Sequence, residues 1–259
     1  MRLLTRFATG TDGTIRRTVY HLRLNDLKFY TVPRILSMKQ RVLFAGIDGS
    51  GKSSSLDRLI AIFQSDYTII KIVNSDGSLV VDGQKQLVFQ RFYRLVEWVR
   101  PRSKKYHFYS FFLVLKYLYK FAVVKYVERF GKCDLMMFEI DFLLHPAVYV
   151  TYHFPWTAKI SSRSRMRLFS CLYGSKDKST ILHLDIEPGE AVRRIHDRGE
   201  EVQLHENLRD LTMLRAEFDR VVAAGRADGF YIHTISSRQS QNAVVAEAER
   251  VLRERLVHC

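Results

Sequence analysis

The sequence predicts a doubly wound α/β fold, with a mostly parallel five-stranded sheet and helices on both of its faces. Short apolar segments rich in β-forming residues recur along the chain, and stretches long enough for helices separate them. A glycine-rich loop directly follows the first of these segments. The chain has 259 residues, of which 47% are hydrophobic, and this suits one α/β core. The predicted strands are Val42–Ala45, Tyr67–Val73, Leu135–Ile140, Thr180–Ile186 and Phe230–Ile235.

The glycine-rich loop spans Gly46–Ser53 and matches the G-x-x-x-x-G-K-[ST] pattern that binds nucleotide phosphates. Its glycines let backbone N–H groups point at phosphate oxygens, and the following helix N-terminus adds roughly half a positive charge. We expect Lys52 to reach the β- and γ-phosphates of ATP and to act in catalysis, while the Ser53 hydroxyl holds Mg²⁺. The predicted ATP-phosphate ligands are Gly46, Asp48, Gly49, Ser50, Gly51, Lys52, Ser53 and Ser54.

A carboxylate follows the apolar part of the third predicted strand. In open α/β sheets, ligands bind at the carboxyl ends of the strands. We therefore expect Glu139 to act in catalysis as a ligand of Mg²⁺ or of a water, with Asp141 as the alternative carboxylate. A capping or ion-pair role at the strand end is the other interpretation of Glu139. The last predicted helix runs from about Asn242 to Leu256.

Charge and cysteine content narrow the class of protein. The net charge of +14 suits a protein that handles polyphosphates. It also allows contact with nucleic acid or an anionic membrane surface, which we do not favour. The three cysteines form no C-x-x-C pair, so neither a zinc site nor a disulfide framework is indicated, and we expect a cytoplasmic location. No uncharged apolar run reaches about 18 residues, so no transmembrane segment is predicted.

Residues 1–37 differ in composition from the rest of the chain. They hold seven basic residues against two acidic ones, and Met38 stands just before the first core strand. We therefore predict a basic extension over 1–37 and a core domain over 38–259. The β-forming segments Thr14–Leu24 and Lys28–Val32 predict a hairpin. We favour a poorly anchored extension over a docked hairpin, and a targeting peptide or an upstream start site are the other interpretations.

Two stretches carry a family resemblance. Residues Gly46–Ser54 follow the pattern G-x-D-G-x-G-K-S/T-T, whose Asp at the third position is more specific than the bare loop. Residues Leu184–Ile195 are typical of a strand end, a proline and the start of a helix. The segment after this helix contributes further matching residues, which are Arg198–Glu201, Glu206, Asn207 and Phe218. Over about 40–255 the chain thus resembles the thymidylate kinase family of P-loop nucleoside monophosphate kinases. The resemblance implies phosphate transfer from ATP to a nucleoside monophosphate, dTMP first, with Mg²⁺ bound to the ATP.

The resemblance also implies a helical lid at about 190–206. No basic residue occupies the variable positions of the phosphate loop, so an arginine must come from elsewhere to neutralise charge in the transition state. Arg194 and Arg198 are four residues apart and share one helix face, and we expect them to act in catalysis from the lid. The competing interpretation is an exposed basic face, paired with Glu190 or with Glu200 and Glu201.

The acceptor side departs from the family pattern. The family ends its third strand with Asp-Arg, whereas this chain reads Phe138-Glu139-Ile140-Asp141, with no arginine for the acceptor phosphate. The family's Arg-Glu-Pro-Gly stretch is also missing after the second strand. By resemblance, Asp48 would face the acceptor's sugar hydroxyl. Residues 87–94 loosely resemble the family's helix that contacts the acceptor, and an ordinary amphipathic helix is the alternative interpretation. The full set of acceptor candidates is Asp48, Phe89, Arg91, Arg94 and Asp141.

Two other basic regions remain. Residues 91–130 hold ten basic residues against two acidic ones, and Lys116 and Lys120 interrupt an apolar stretch within them. This stretch predicts a long core helix or a homodimer helix, as the family resemblance implies; docking on an anionic membrane is the alternative. The second region, Arg163, Arg165 and Arg167, could supply the missing acceptor-phosphate arginine or form solvated surface.

Three functions remain open from the sequence. The first is a nucleoside monophosphate kinase of the thymidylate kinase type. The second is a P-loop kinase with a different small acceptor. The third is a nucleotide-binding module without turnover, located at a membrane or on a polyanion. The intact Lys52 and Ser53 favour the two kinases, and the altered acceptor side favours the third function.

Overall fold

The computed structural model describes residues 6–9, 15–18, 40–73, 78–81, 83–105, 109–139, 143–173, 176–199 and 206–257. The chain divides into two compact units, Met1–Ser37 and Met38–Cys259. In the first unit, β1 (Arg6–Thr9) pairs antiparallel with β2 (Ile15–Thr18). The predicted segment Thr14–Leu24 overlaps β2, but the partner of β2 precedes it in the chain. The other predicted hairpin segment, Lys28–Val32, lies outside the described residues.

The second unit contains one sheet of seven strands. In chain order they are β3 (Gln40–Ala45), β4 (Ile69–Ile72), β5 (Leu79–Val81), β6 (Gln84–Gln86), β7 (Leu135–Phe138), β8 (Ser179–Asp185) and β9 (Tyr231–Ser236). Their order across the sheet is β6-β5-β4-β7-β3-β8-β9. The five neighbouring strands β4, β7, β3, β8 and β9 pair in parallel. Beyond β4, the strands β5 and β6 extend the sheet with antiparallel pairing.

Eight α-helices accompany the sheet within the described residues. They are α1 (Lys52–Phe63), α2 (Gln90–Lys105), α3 (Tyr109–Phe130), α4 (Leu144–His153), α5 (Ser162–Tyr173), α6 (Pro188–Asp197), α7 (Leu208–Ala227) and α8 (Gln241–Val257). Short 3-10 turns at Pro155–Lys159 and Lys176–Lys178 follow α4 and α5. The predicted helix after the phosphate loop and the predicted last helix are both confirmed.

The alternation of side chains along the strands produces two apolar layers. Val42 and Phe44 of β3 face one side of the sheet, where they pack with the apolar stripes of α1 and α8. Leu43 and Ala45 face the other side, where the core is built from residues of α2, α3, α4, α5 and α7. Because β3 is covered on both faces, it reads as a continuous apolar run, which is typical of a central parallel strand.

The predicted fold class is confirmed, but the sheet has seven strands and not five. The two additional strands are three residues long, and β6 carries only exposed polar side chains, so neither produces an apolar run in the sequence. The predicted second strand also began too early. The N–H of Tyr67 donates to the carbonyl of Phe63 at 3.0 Å, so the chain is still turning out of α1 at that residue.

Helix α3 carries both buried and exposed apolar side chains. Its buried apolar residues lie in the core, as predicted; they are Phe112, Tyr119, Val123, Val124 and Val127. The exposed apolar residues of the same helix are Val114, Leu118, Tyr126 and Phe130. The predicted homodimer through this region stays a prediction. Within the described residues, no helix combines the length and apolar character needed to cross a membrane.

The cluster Arg163, Arg165 and Arg167 is used within the fold. Arg165 is buried, pairs with Glu217 of α7, and donates to the Ala147 carbonyl of α4 at 2.7 Å. Arg163 and Arg167 are exposed and both pair with Asp228. These contacts connect α4, α5 and α7, so the interpretation of this cluster as a replacement acceptor-phosphate arginine has no geometric support.

Arg165→Met is expected to lower the free energy of unfolding by about 3–5 kcal/mol, because it breaks a buried ion pair. The matched control is Arg167→Met on the same helix. The Arg167 side chain is 61% exposed, and its partner Asp228 still pairs with Arg163 when Arg167 is replaced. We expect a much smaller change for the control. Urea unfolding followed by circular dichroism measures both, and equal effects of the two substitutions would contradict the assignment.

Candidate functional site

The phosphate loop is held by close backbone packing. Gly46 has φ 139° and Gly49 has φ 80°, a region that L side chains rarely adopt. A Cβ at Gly46 would lie 2.5 Å from the Leu184 carbonyl oxygen of β8. A Cβ at Gly49 would lie 2.6 Å from the Ala191 carbonyl oxygen of α6. The two glycines therefore allow the loop to contact the end of β8 and the side of α6 directly.

Lys52 opens α1 and is buried. Its Nζ donates to the carbonyls of Gly46 at 2.9 Å and Ile47 at 2.8 Å, and it lies 3.5 Å from Asp48 Oδ1. Burial lowers the pKa of Lys52, and the carboxylates of Asp48, Glu139 and Glu206 act in the opposite direction. The ammonium is thus held at the loop by carbonyl oxygens and by surrounding negative charge. No side chain caps the N-terminus of α1.

A cleft of about 1050 Å³ opens above this loop. It lies at the carboxyl ends of the parallel strands, where a doubly wound sheet binds its ligands. Its walls come from the loop, the start of α1, the ends of β4 and β7, helix α6, and the segment between β9 and α8. The lining residues used below are Asp48, Lys52, Ser53, Glu139, Arg194, Arg198, Ser237 and Gln241.

The predicted lid arginines line this cleft, and each also has a partner within the protein. Arg194 donates to Glu190 Oε1 at 2.9 Å and to the Ser237 carbonyl at 2.8 Å, which connects α6 to the segment after β9. Arg198 donates to Glu206 at 3.1 Å. The more exposed Arg193 pairs with Glu190 and Asp197. Arg194 therefore lines the cleft and at the same time pairs with Glu190, so the geometry agrees with both interpretations of this arginine.

Glu190 organises the arginines of α6. Hydrogen bonds from Arg193 and Arg194 lower the pKa of its carboxyl group to about 2. The carboxylate therefore stays ionised throughout the pH range in which the protein would work, and it fixes the direction of both guanidinium groups. A further network stands beside it, because Arg215 of α7 binds Asp185 at the end of β8 and also Glu187.

Ser53 and Glu139 both line the cleft, as their predicted roles at Mg²⁺ require. Within the part of the chain that the structure describes, no group of three or more His, Cys, Asp or Glu side chains could hold a metal ion. Asp141, the alternative carboxylate, lies outside the described residues.

Asp48 faces a second group of side chains on α4. Its Oδ2 accepts a hydrogen bond from the Tyr149 hydroxyl at 3.1 Å. The His145 ring stacks on Tyr149 with centroids 3.9 Å apart. Burial and the Asp48 carboxylate raise the pKa of Tyr149 well above its usual value, so the hydroxyl stays protonated and donates. Burial lowers the pKa of His145 well below its usual value, so its ring is neutral near pH 7.

The remaining acceptor candidates do not reach the cleft. Phe89 precedes α2 with φ 54°, and its ring lies edge-on to Tyr126 with centroids 5.6 Å apart. Arg91 and Arg94 are exposed on α2. Neither these arginines nor Phe89 line the cleft described above. Their assignment to the acceptor stays a prediction without support from this geometry.

The segment Ser237–Gln241 was not predicted as part of the site. It forms one wall of the cleft, and two of its buried polar atoms, Ser237 Oγ and Gln241 Nε2, have no hydrogen-bond partner among the described residues. Buried polar atoms of this kind are suited to a ligand. The sequence could have indicated this segment, because it directly follows the fifth predicted strand and ligands bind beyond the carboxyl ends of parallel strands. Tyr149 and His145 were also missed, because nothing in the sequence around α4 separates them from core aromatic residues.

Comparison with known proteins gives a structural likeness only. No protein-family model matches the chain, and no curated protein matches it either. The structure of deoxyadenosine kinase from M. mycoides with the products dCMP and a flexible dCDP has a TM-score of 0.50 and 12% identity. That match covers 83% of this chain and 99% of the other chain. The dATP-bound structure of the same kinase has a TM-score of 0.50 and 13% identity, with 82% and 99% covered.

At such identities the likeness establishes the fold. The doubly wound, mostly parallel sheet with helices on both faces is the fold that the chain shares with these structures.

Gly49→Ala is expected to remove the stabilisation that Mg-ATP gives to the protein. The substitution adds about 1–2 kcal/mol of backbone strain at a positive φ. It also drives a Cβ into the Ala191 carbonyl of α6. Gly189→Ala is the control, because a Cβ at Gly189 meets nothing within 4 Å. Thermal unfolding with and without Mg-ATP measures both variants, and a Gly49→Ala variant that responds like the wild type would contradict this account.

Proposed function

We propose that this protein is an ATP-dependent phosphotransferase of the nucleoside and nucleotide kinase type. The observation that carries the proposal is the phosphate loop Gly46–Ser53, with its buried Lys52, at the base of a cleft that four arginines also line. The P-loop kinase fold and the likeness to deoxyadenosine kinase support the same class of reaction.

The donor phosphates of ATP would lie on the loop. The uncapped N-terminus of α1 offers backbone N–H groups to the phosphate oxygens. Lys52 would exchange its hydrogen bonds to the two loop carbonyls for the β- and γ-phosphate oxygens. This exchange keeps the buried ammonium in a polar environment throughout. The nucleoside end of ATP would then lie along the cleft, where Ser237 and Gln241 present polar atoms to it.

Ser53 and Glu139 would hold Mg²⁺ through the Ser53 hydroxyl and the Glu139 carboxylate, directly or through water. When bound, the ion neutralises negative charge on the donor phosphates. The arginines of α6 would supply the remaining positive charge. Arg194 spans from Glu190 to the Ser237 carbonyl, and Arg198 starts from Glu206, so both guanidinium groups are oriented before ATP binds. A fixed orientation lowers the cost of using them in the transition state.

Two groups of compounds compete as the phosphate acceptor. A nucleoside is favoured by the likeness to deoxyadenosine kinase. A nucleoside monophosphate, dTMP first, is favoured by the resemblance of the loop and lid to thymidylate kinases. A phosphate-transfer screen against nucleosides, nucleoside monophosphates and sugars tests them. A protein that binds Mg-ATP but phosphorylates no member of the screen would be a nucleotide-binding module without turnover.

Saturating Mg-ATP is expected to stabilise the protein, and Lys52→Ala is expected to abolish the effect. At a ligand concentration one hundred times Kd, binding adds about 2.7 kcal/mol to the free energy of unfolding. Differential scanning fluorimetry over a series of Mg-ATP concentrations measures it. Lys71→Ala serves as the control, because Lys71 pairs with Asp57 on α1 and does not line the cleft. An unchanged melting curve for the wild type would refute the proposed function.

Arg194→Ala and Arg198→Ala are expected to weaken turnover more than ATP binding. An interaction made mainly in the transition state lowers kcat and leaves the binding constant nearly unchanged. At least one variant should lose about a hundredfold or more in kcat. Arg250→Ala, at an exposed arginine of α8 that pairs with Glu254, is the control. Wild-type kcat in both variants would mean that the α6 arginines do not act in catalysis.

A further inference from the structure

A hydrogen bond connects helix α4 to the carboxylate of the phosphate loop. The Tyr149 hydroxyl donates to Asp48 Oδ2, and the distance between the two oxygens is 3.1 Å. Tyr149 is only 4% exposed and does not line the cleft, whereas Asp48 does line it. Tyr149 can therefore influence a ligand of the cleft only indirectly, and its hydrogen bond to Asp48 provides a direct route for that influence.

Packing fixes the position of the Tyr149 ring. The residue belongs to the apolar core on one side of the sheet, and its ring stacks on that of His145 with centroids 3.9 Å apart. Burial and the nearby Asp48 carboxylate raise the pKa of Tyr149 well above its usual value, so the hydroxyl keeps its proton and acts as a donor. A donor on a packed ring holds one oxygen of the Asp48 carboxylate at a defined place.

The other oxygen of this carboxylate lies near Lys52 without making a close hydrogen bond to it. The distance from Asp48 Oδ1 to Lys52 Nζ is 3.5 Å. A charge-assisted hydrogen bond between an ammonium and a carboxylate is shorter, at about 2.7–2.9 Å. The ammonium donates instead to the carbonyls of Gly46 at 2.9 Å and Ile47 at 2.8 Å. Because the Asp48 side chain is 24% exposed, the carboxylate has room at the cleft to turn towards Lys52.

The position of this carboxylate matters for nucleotide binding. In the proposed function, Lys52 leaves the two loop carbonyls and binds the β- and γ-phosphate oxygens of ATP. Hydrogen bonds between two charged groups are roughly twice as strong as those between neutral groups, so a carboxylate in direct contact releases an ammonium less readily than a carbonyl does. Direct contact between Asp48 and Lys52 would therefore compete with the phosphates for the same ammonium.

We propose that Tyr149 is a positioning residue for ATP binding. Its hydroxyl holds the Asp48 carboxylate out of direct contact with Lys52, and this keeps the lysine available to the β- and γ-phosphates. The inference rests on the proposed function, because it concerns how the phosphate loop binds its nucleotide. It involves no covalent step, since one hydrogen bond decides which anion Lys52 binds.

This arrangement also gives a reason for a carboxylate within an anion-binding loop. Burial lowers the pKa of Lys52, and the Asp48 carboxylate acts to raise it. At 3.5 Å the carboxylate supports the positive charge of the ammonium and still leaves its N–H groups to other acceptors. Tyr149 thus separates the useful effect of Asp48 from the harmful one.

The experiment uses the full chain and four variants. Tyr149→Phe removes the hydroxyl and keeps the ring, Asp48→Asn removes the charge and keeps the shape, and the third variant combines both substitutions. Tyr152→Phe is the matched control on the same helix, because the Tyr152 hydroxyl also donates to an aspartate, Asp210, at 3.1 Å, and neither of these two residues lines the cleft. Isothermal titration with Mg-ATP, without any acceptor, measures Kd for each protein, and circular dichroism checks that each is folded.

Tyr149→Phe is expected to raise the Kd of Mg-ATP by roughly tenfold, because Asp48 then turns to Lys52 and ATP has to break a charge-assisted hydrogen bond. Asp48→Asn should bind Mg-ATP within about twofold of the wild type or more tightly, since a neutral amide does not hold the ammonium. The double variant should bind as Asp48→Asn does. A general loss of packing around Tyr149 would not be restored in this way. Tyr152→Phe should match the wild type.

Two results would overturn the inference. One is a folded Tyr149→Phe variant that binds Mg-ATP as tightly as the wild type does. The other is a loss of affinity that Asp48→Asn does not restore, or that Tyr152→Phe shares. If Tyr149→Phe does not fold, Asp48→Asn alone carries the test, and a loss of about tenfold in that variant would mean that the carboxylate assists ATP binding. Failure of the proposed function looks different, because the wild type itself then binds no Mg-ATP.

Discussion

The close approach of the phosphate loop to its neighbours is the constraint on which the site depends. Gly49 touches the backbone of α6, and Gly46 touches the end of β8. Because no side chain stands between these segments, the loop, β8 and α6 cannot shift independently. The position of Lys52 at the start of α1 and the positions of Arg194 and Arg198 on or beside α6 are thereby fixed relative to one another. The distances between the donor-side charges are thus set by backbone packing.

Each of the positively charged side chains Lys52, Arg194 and Arg198 in the cleft is hydrogen-bonded to oxygen atoms of the protein. Lys52 donates hydrogen bonds to two carbonyls of the loop. Arg194 donates to the Glu190 carboxylate and to the Ser237 carbonyl, and Arg198 donates to Glu206. Burial lowers the pKa of Lys52, and the surrounding carboxylates act to raise it. Such an arrangement keeps several positive charges close together without mutual repulsion opening the cleft. An anionic ligand can then replace the internal oxygens one by one.

The sequence was most informative where the local pattern and the global fold agree. The phosphate loop could be predicted because its glycine spacing is dictated by a single backbone geometry. The five parallel strands could be predicted because each carries a run rich in apolar and β-branched residues, which in the central strand β3 is buried on both faces. The edge strands β5 and β6 could not be predicted, since three residues give no periodicity. The burial of Lys120 was also hidden, because it depends on how α3 packs and not on the composition of α3. Arg165 shows the reverse case: it stood in a basic cluster, yet a partner 52 residues away buries it.

The antiparallel strands at the edge of the sheet have a further consequence. Parallel strand β4 would otherwise end the sheet with unpaired N–H and carbonyl groups beside an apolar surface. Instead β5 covers it, and β6 presents Gln84, Lys85 and Gln86, all exposed and polar. A short edge strand with a lysine is a poor template for strands of other molecules. Growth of the sheet by edge-to-edge addition is therefore disfavoured on the β6 side.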